Sequence, residues 1–309
     1  MVGRKVVFTV EPKNVQTILA LKFRDFELGE YRNRALRPLL GYGIFSTDGS
    51  KWEHSRALLR PNFNRNQITD INVYETHVAA LLKQIPHDGS TVDLQDLFFK
   101  MTLDSATEFL FGESVHSLSD VASTSASSFA TSFNSSQEGL AMRTRIGPLM
   151  MFHRDKKFSK AVVDARHYVD KFVQRAIEYR TALDSGQVSD DTRKLNEQQY
   201  VFLYQLSKQT LDKTELTDQL LNILLAGRDT TASLLSITFF TMARRPDVWN
   251  KLQEEVLALE GRKPSFKDLK SMTYLTWVLS ESKQYHYSPK TIQSLITCEK
   301  LYASTQLFP

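Results

Sequence analysis

The sequence predicts a mainly α fold, a helical bundle around one long central helix with little β structure near the amino end. Three observations predict it. A run from about Glu215 to Arg244, closed by Pro246, carries leucine, isoleucine and phenylalanine around nearly its whole circumference, the pattern of a buried helix. Apolar residues recur at helical spacing along most of the remaining chain. Only Val6–Val10 is rich in β-formers, and Glu11-Pro12 ends it.

In chain order, Asn14 can cap a short helix carrying Val15, Ile18, Leu19 and Leu21. Phe23–Pro38 mixes arginines with aromatics and reads as an irregular basic loop. Gly41-Tyr42-Gly43 and Thr47-Asp48-Gly49 are turn signals leading to a helix over Lys51–Leu59 that Pro61 stops. Ile68–Ile85 has one apolar stripe, and Asp93 caps a helix that runs to Phe111 with Gly112 as its stop. Val121–Ser136 is rich in serine and threonine, and Phe129 and Phe133 at i, i+4 favour a short helix over a loop. Ala161–Tyr179 is amphipathic, Asp184–Asp191 is a polar connection, and Tyr200–Leu211 is helical again. Thr214 is the expected cap of the central helix, with Glu215 and Asp218 at the positive end of its dipole. Helices from Pro246 to near Gly261 and from Phe266 to Glu281 complete the pattern.

The length of 309 residues suits one large or two ordinary domains. Hydrophobic content of 41% and charged content of 24% are those of a soluble globular protein. A net charge of +4 is too small to argue for nucleic acid. The single cysteine, Cys298, excludes an internal disulfide and a multi-cysteine zinc or iron–sulfur site. No stretch reaches the length of a membrane span, and Met1 opens into Val-Gly-Arg-Lys rather than a signal peptide. The chain reads as facing the cytosol, or as a piece whose anchor is absent.

The central helix poses the functional question. Its middle holds Gly227, Arg228, Asp229, Thr230 and Thr231, although unpaired polar groups are costly in a buried helix and glycine there costs about 1 kcal/mol relative to alanine. Glycine removes a side chain and lets another group approach the backbone. An adjacent acid and alcohol can relay protons into a dry pocket. The alternative is a hydrogen-bond cluster between buried helices. A second pattern, Trp52-Glu53-His54-Ser55-Arg56, places tryptophan and arginine at i, i+4 on one side of a helix, where the guanidinium suits a carboxylate. Its alternative is a surface pair with Arg56 stacked on Trp52. Met150, Met151, Phe152 and Phe129 suit an apolar tunnel or, more simply, core packing. Arg154, Lys156 and Lys157 read as a solvated basic face.

Ala226-Gly227-Arg228-Asp229-Thr230-Thr231 resembles the oxygen-activation motif of the cytochrome P-450 family, the haem-thiolate monooxygenases. Trp52-x-x-x-Arg56 is similar to that family's propionate-binding pattern. The resemblance covers about Val6–Ser282 and is greatest to fungal alkane and fatty-acid hydroxylases, through Thr9–Asn14, Pro38–Arg65, Phe129–Gln137, Gly147-Pro148-Leu149 and Pro246–Glu255. It implies a haem b cofactor, electrons from an NADPH-dependent flavoprotein reductase, a long-chain lipid substrate hydroxylated at or near its end, and the cytosolic face of the endoplasmic reticulum membrane. It gives Asp229 and Thr230 the catalytic proton delivery, and gives Trp52, Arg56, Ala226 and Gly227 the haem.

The resemblance then breaks. Glu281 matches the glutamate of the family's Glu-x-x-Arg, but Gln284 stands where the arginine is due. No arginine follows Arg262 and no glycine follows Gly261, whereas the family's cysteine loop, Phe-x-x-Gly-x-Arg-x-Cys-x-Gly, needs both. Cys298 lacks every neighbour of that loop, so the reading is that it is not the axial ligand and Glu281 is a structural remnant. Residues 1–282 are therefore expected to form an incomplete monooxygenase domain, and 283–309 an aberrant tail. The expectation for the chain as it stands is no activity. The competing readings are a non-catalytic helical module that binds a lipid or a partner protein, and a product without function.

Overall fold

The structure is a computed structural model that describes residues 7–63, 71–119, 124–152, 154–187 and 201–285. Among these residues there is no strand. The chain forms α1 (Pro12–Gln16), α2 (Glu30–Leu40), α3 (Gly49–Leu59), α4 (Asn72–Lys83), α5 (Leu94–Phe111), α6 (Thr124–Ile146), α7 (Lys156–Asp184), α8 (Phe202–Leu206), α9 (Lys213–Met242), α10 (Pro246–Leu257), α11 (Phe266–Ser271) and α12 (Thr273–Tyr285). The central helix is α9. It packs mainly on α5 and α7, with α2, α8, α10 and α12 along its length, while α6 lies on α7.

One core joins these helices. Leu216, Leu220, Leu221 and Leu224 of α9 meet Leu103 and Leu110 of α5 and Ala165, Val169 and Val173 of α7. Aromatic stacking ties α6 and α5 to α7, with ring centroids of Phe129 and Tyr168 at 4.2 Å and of Phe111 and Phe172 at 4.8 Å. A smaller core under the second half of α9 combines Leu81, Leu97, Phe98, Leu118 and Ala232.

Local chemistry explains where helices begin and stop, and corrects several expectations. The Asp93 carboxylate accepts from Gln95 N at 2.9 Å and Asp96 N at 3.2 Å, and Gly112 closes α5 with φ 78°, as the sequence indicates. The cap of α9 is Asp212, accepting from Glu215 N at 3.0 Å, and the expected cap, Thr214, lies inside the first turn. The cap of α1 is Glu11, with Pro12 at its first position, rather than Asn14, and a π-helical turn over Thr17–Leu21 follows. Residues 7–10 are irregular, not a strand; Val6 lies outside the described residues.

The expected basic loop over Phe23–Pro38 is overturned in its second half. Ala35, Leu36, Leu39 and Leu40 form an apolar face that makes α2 worth folding, although Pro38 withholds one backbone donor near its end. The expected short helix near Phe129 extends over 23 residues. The helix expected over Tyr200–Leu211 is only Phe202–Leu206, followed by turns. The helix expected over Phe266–Glu281 is two helices broken at Met272, whose ψ of 89° is not helical. The Glu255 carboxylate of α10 accepts Tyr274 N at 2.9 Å and Leu275 N at 2.8 Å, which starts a new helix there. That helix continues past Ser282 to Tyr285; 286–309 lie outside the described residues.

Candidate functional site

From Leu216 to Asn222 α9 is buried, and its polar side chains are engaged. Asp218 accepts Tyr42 N at 2.8 Å and Arg166 Nη2 at 2.7 Å. Asn222 accepts Phe45 N at 2.9 Å and donates to Leu40 O at 2.8 Å, while Gln219 accepts Ile44 N at 3.3 Å. The turn after α2 is thus fastened to the central helix through its backbone. The approach requires glycines: a Cβ on Gly43 would lie 2.1 Å from Asn222 Nδ2, and one on Gly41, at φ 57°, would lie 1.9 Å from Asp218 Oδ1. Asp218 is therefore not merely a dipole partner. Sequence reading missed this set, although Asp218, Gln219 and Asn222 on an otherwise apolar helix, with Gly41 and Gly43 upstream, were its signal.

The same clamp orients α3. Gln219 Nε2 donates to Ser55 Oγ at 2.8 Å, and His54 Nε2 pairs with Glu215 Oε1 at 2.6 Å. Ser55 and His54 thus dock α3 on the amino half of α9. Trp52 and Arg56 are half-buried, and the Arg56 guanidinium sits over the Trp52 ring at 5.3 Å. Burial, then the neighbouring Arg60 charge, lowers the Arg56 pKa from its usual value. The stacked pair foreseen as an alternative is present, and it is half-buried rather than superficial. Trp52 and Ala226 both pack against the large core.

Beyond Asn222 the helix changes character. Ala226 and Asp229 are half-buried, Arg228 is buried, and Gly227, Thr230 and Thr231 are exposed. A fully buried circumference was expected here, but no described residue covers this edge. A Cβ on Gly227 would meet only Ala106 Cβ of α5, at an ordinary 3.9 Å, so packing against α5 does not require the glycine. Thr230 Oγ1 donates to Ala226 O at 2.7 Å, which holds its oxygen on the open edge with its lone pairs available.

Asp229 points elsewhere. Its Oδ1 meets Arg228 Nη1 at 3.1 Å, and no hydrogen bond joins it to Thr230. Burial raises the Asp229 pKa above the usual carboxylate value, opposed by the Arg228 charge and by the nearby Gln137 amide. Gln137 Nε2 nonetheless stops short of hydrogen-bond geometry. Arg228 also donates to Gln137 Oε1 at 3.1 Å and to Asn134 Oδ1, both on α6. For Arg228 and Asp229 the hydrogen-bond cluster between helices, given as the alternative, is thus present, although Asn134 and Gln137 were not named as its members.

The remaining candidates divide. Phe129 is fully buried against Tyr168 and Phe133, a core residue rather than a tunnel wall; Met150 is buried as well. Arg154, Lys156 and Lys157 are exposed. Glu281 is exposed on α12 and makes no salt bridge to another described residue. Cys298 and the rest of 286–309 lie outside the described residues.

The exposed glycine and alcohol next to a half-buried acid on α9, and the Trp52–Arg56 pair on α3, are the residues that the sequence resemblance singles out. The cytochrome P450 family model matches residues 1–289. The chain belongs to the cytochrome P450 family. Several fungal P450s are similar to it. It is 43% identical over 297 residues to cytochrome P450 52A13 of Debaryomyces hansenii, covering 91% of this chain and 56% of that protein. It is 45% identical over 300 residues to cytochrome P450 52A3-B of Candida maltosa, covering 92% and 56% respectively. It is 41% identical over 302 residues to the cytochrome P450 monooxygenase himC of Aspergillus japonicus, covering 97% and 53%. The P450 chain thus spans about half the length of the curated relatives it matches.

The family's cofactor is haem, and this chain's residues fit it on one side only. The exposed Gly227, Thr230 and Thr231 leave an uncovered edge that carries two alcohols, and Trp52 with Arg56 offers a cation next to a ring. The described residues contain no cysteine, so none of them supplies the thiolate that ligates iron in this family. Among the described residues no helix is long and apolar enough to cross a membrane.

Proposed function

We propose that this P450 chain carries the oxygen-side half of a monooxygenase site whose parent reaction inserts one oxygen atom into a C–H bond of a long-chain alkane or fatty acid. In this reading Trp52 and Arg56 hold a haem propionate, and Ala226 and Gly227 form the wall against the ring. Thr230 presents its oxygen to the pocket, and Asp229 passes a proton towards it from the α6 side. Haem, when bound, supplies the iron at which dioxygen is reduced. The parent enzyme takes electrons from an NADPH-dependent flavoprotein reductase at the cytosolic face of the endoplasmic reticulum. The observation that supports the reading most is the open edge of α9, with exposed Gly227 and Thr230 beside half-buried Asp229.

The chain as it stands is proposed to bind haem weakly and to lack activity, because Cys298 has none of the glycine and arginine neighbours of the family's ligand loop and Gln284 replaces the arginine due after Glu281. The experiment is a spectrum of the haem-reconstituted, reduced chain under carbon monoxide. The expected outcome is no thiolate-type Soret band, and the appearance of one overturns the inactivity. A second reading, in keeping with Gln284 in place of the arginine due after Glu281, is a helical lipid- or partner-binding module. Adding haem and a fatty acid separately distinguishes them, since only a true ligand raises the unfolding temperature.

A further inference from the structure

Arg228 occupies an unusual position for a charge. Its side chain is 6% exposed, yet it is surrounded by groups from three helices. Nη1 donates to Asp229 Oδ1 and to Gln137 Oε1, each at 3.1 Å, and Nη2 donates to Asn134 Oδ1. The guanidinium lies 4.8 Å from the Phe99 ring centroid of α5 and 5.8 Å from that of Phe133 on α6. Asn134 and Gln137 stand at i, i+3, so α6 turns both amides to one partner. As a simple brace this arrangement is inefficient: burying a guanidinium is costly, and an apolar side chain of similar volume often fills such a site at least as well. It also leaves Arg228 Nε and Gln137 Nε2 buried without a hydrogen bond. What an apolar residue cannot do is hold a carboxylate.

We propose that Arg228, gripped by Asn134 and Gln137, is the positioning residue of Asp229, tying its carboxyl group to α6 and setting its readiness to hold or release a proton. The proposal rests on reading Asp229 as the proton-delivering acid. Two opposing effects act on that carboxyl group. Burial favours its neutral form, and the adjacent guanidinium favours the charged one. The other charge acting on the pair is Asp96 of α5, which Lys100 engages at 2.7 Å; the α6 partners, Asn134 and Gln137, do not titrate. The fork on Arg228 is shared between the amides and the acid, so any shift of α6 along α9 changes how much of it remains for Asp229. Availability of the proton is then linked to the placement of α6.

The test is the titration of the Asp229 carboxyl group in the full 309-residue chain, followed by carbon-13 resonance of labelled aspartate and assigned by its loss in Asp229→Asn. Arg228→Met keeps the stem and removes the charge; the midpoint is expected to rise by about one pH unit or more. Arg228→Lys keeps the charge without the fork and is expected to restore part of that change. Gln137→Leu is expected to raise the midpoint less than Arg228→Met does. Should Arg228→Met fail to fold, the lysine and leucine variants decide alone. A midpoint that stays at the wild-type value in every folded variant, while the unfolding temperature falls, overturns the proposal and leaves Arg228 a brace. The delivery reading fails separately: haem added in excess as its diamagnetic ferrous carbon-monoxide form is expected to shift the Asp229 midpoint if it seats on the exposed Gly227–Thr230 edge beside that carboxyl group, and an unmoved midpoint sinks that reading while leaving the Arg228 variants to decide the positioning role.

Discussion

Asp218 and Arg166 meet at 2.7 Å between α9 and α7, and the same carboxylate accepts the Tyr42 amide at 2.8 Å. Arg166 also donates to Leu39 O at 2.8 Å, so one ion pair fastens the turn after α2 to two long helices. The Asp218 side chain is only 4% exposed. Asp218→Ala strands the Tyr42 amide and removes the partner of a partly buried guanidinium. The expected loss is about 3 kcal/mol, read from the urea midpoint of unfolding. Asp218→Asn keeps one acceptor and is expected to cost less.

Gly43 tests the same clamp sterically. A Cβ there would lie 2.1 Å from the Asn222 side-chain nitrogen and 2.5 Å from its Cγ, so Gly43→Ala must push the amide away from Phe45 N and Leu40 O. The expected cost is about 1–3 kcal/mol. Because the damage passes through Asn222, the glycine substitution is expected to cost less in an Asn222→Ala background, and a double-mutant cycle of unfolding free energies measures the difference. Full additivity would count against the contact.

Phe129 is a stability residue. Fully buried and stacked at 4.2 Å on Tyr168, it joins α6 to α7. Phe129→Ala is expected to cost about 3–5 kcal/mol of unfolding free energy. A lipid-protected unfolding temperature, if one is found, is expected to rise by the same amount in a Phe129→Leu variant as in the wild type, since the ring faces core rather than ligand.

What could be read from the sequence depended on whether the deciding partner was local. Asp93 and Gly112 bound α5 with their own side chain and backbone, and both were legible. The break at Met272 was not, because the carboxylate that starts α12 comes from Glu255 on another helix. Pro38 and the arginines around it hid α2, whose formation is repaid only by the core it faces. In the site, the Gly227–Thr231 pentad and the Trp52–Arg56 spacing stood out as residue types. The direction of Asp229 did not, since its neighbours Arg228 and Gln137 lock together only when a serine-rich stretch becomes the long helix α6.

Asp229 also links folding to pH. Its pKa is raised from 3.8 in the folded chain, chiefly by burial, so the native state holds the proton more tightly than the unfolded state does. The sign follows: the contribution to stability is fully present below about 3.8 and is lost as pH rises through the higher folded value. Asp229→Asn removes that dependence while keeping an acceptor for Arg228. The difference in unfolding free energy between the wild type and this variant is therefore expected to move against the wild type from pH 4 upward and then level off. The change is expected to be modest, because the Asp229 side chain keeps 33% of its surface accessible and solvent screens part of the cost. Parallel urea titrations of the two proteins across this range provide the measurement. A difference that is flat, or that runs in favour of the wild type as pH rises, would mean that the Arg228 charge outweighs burial at this carboxyl group.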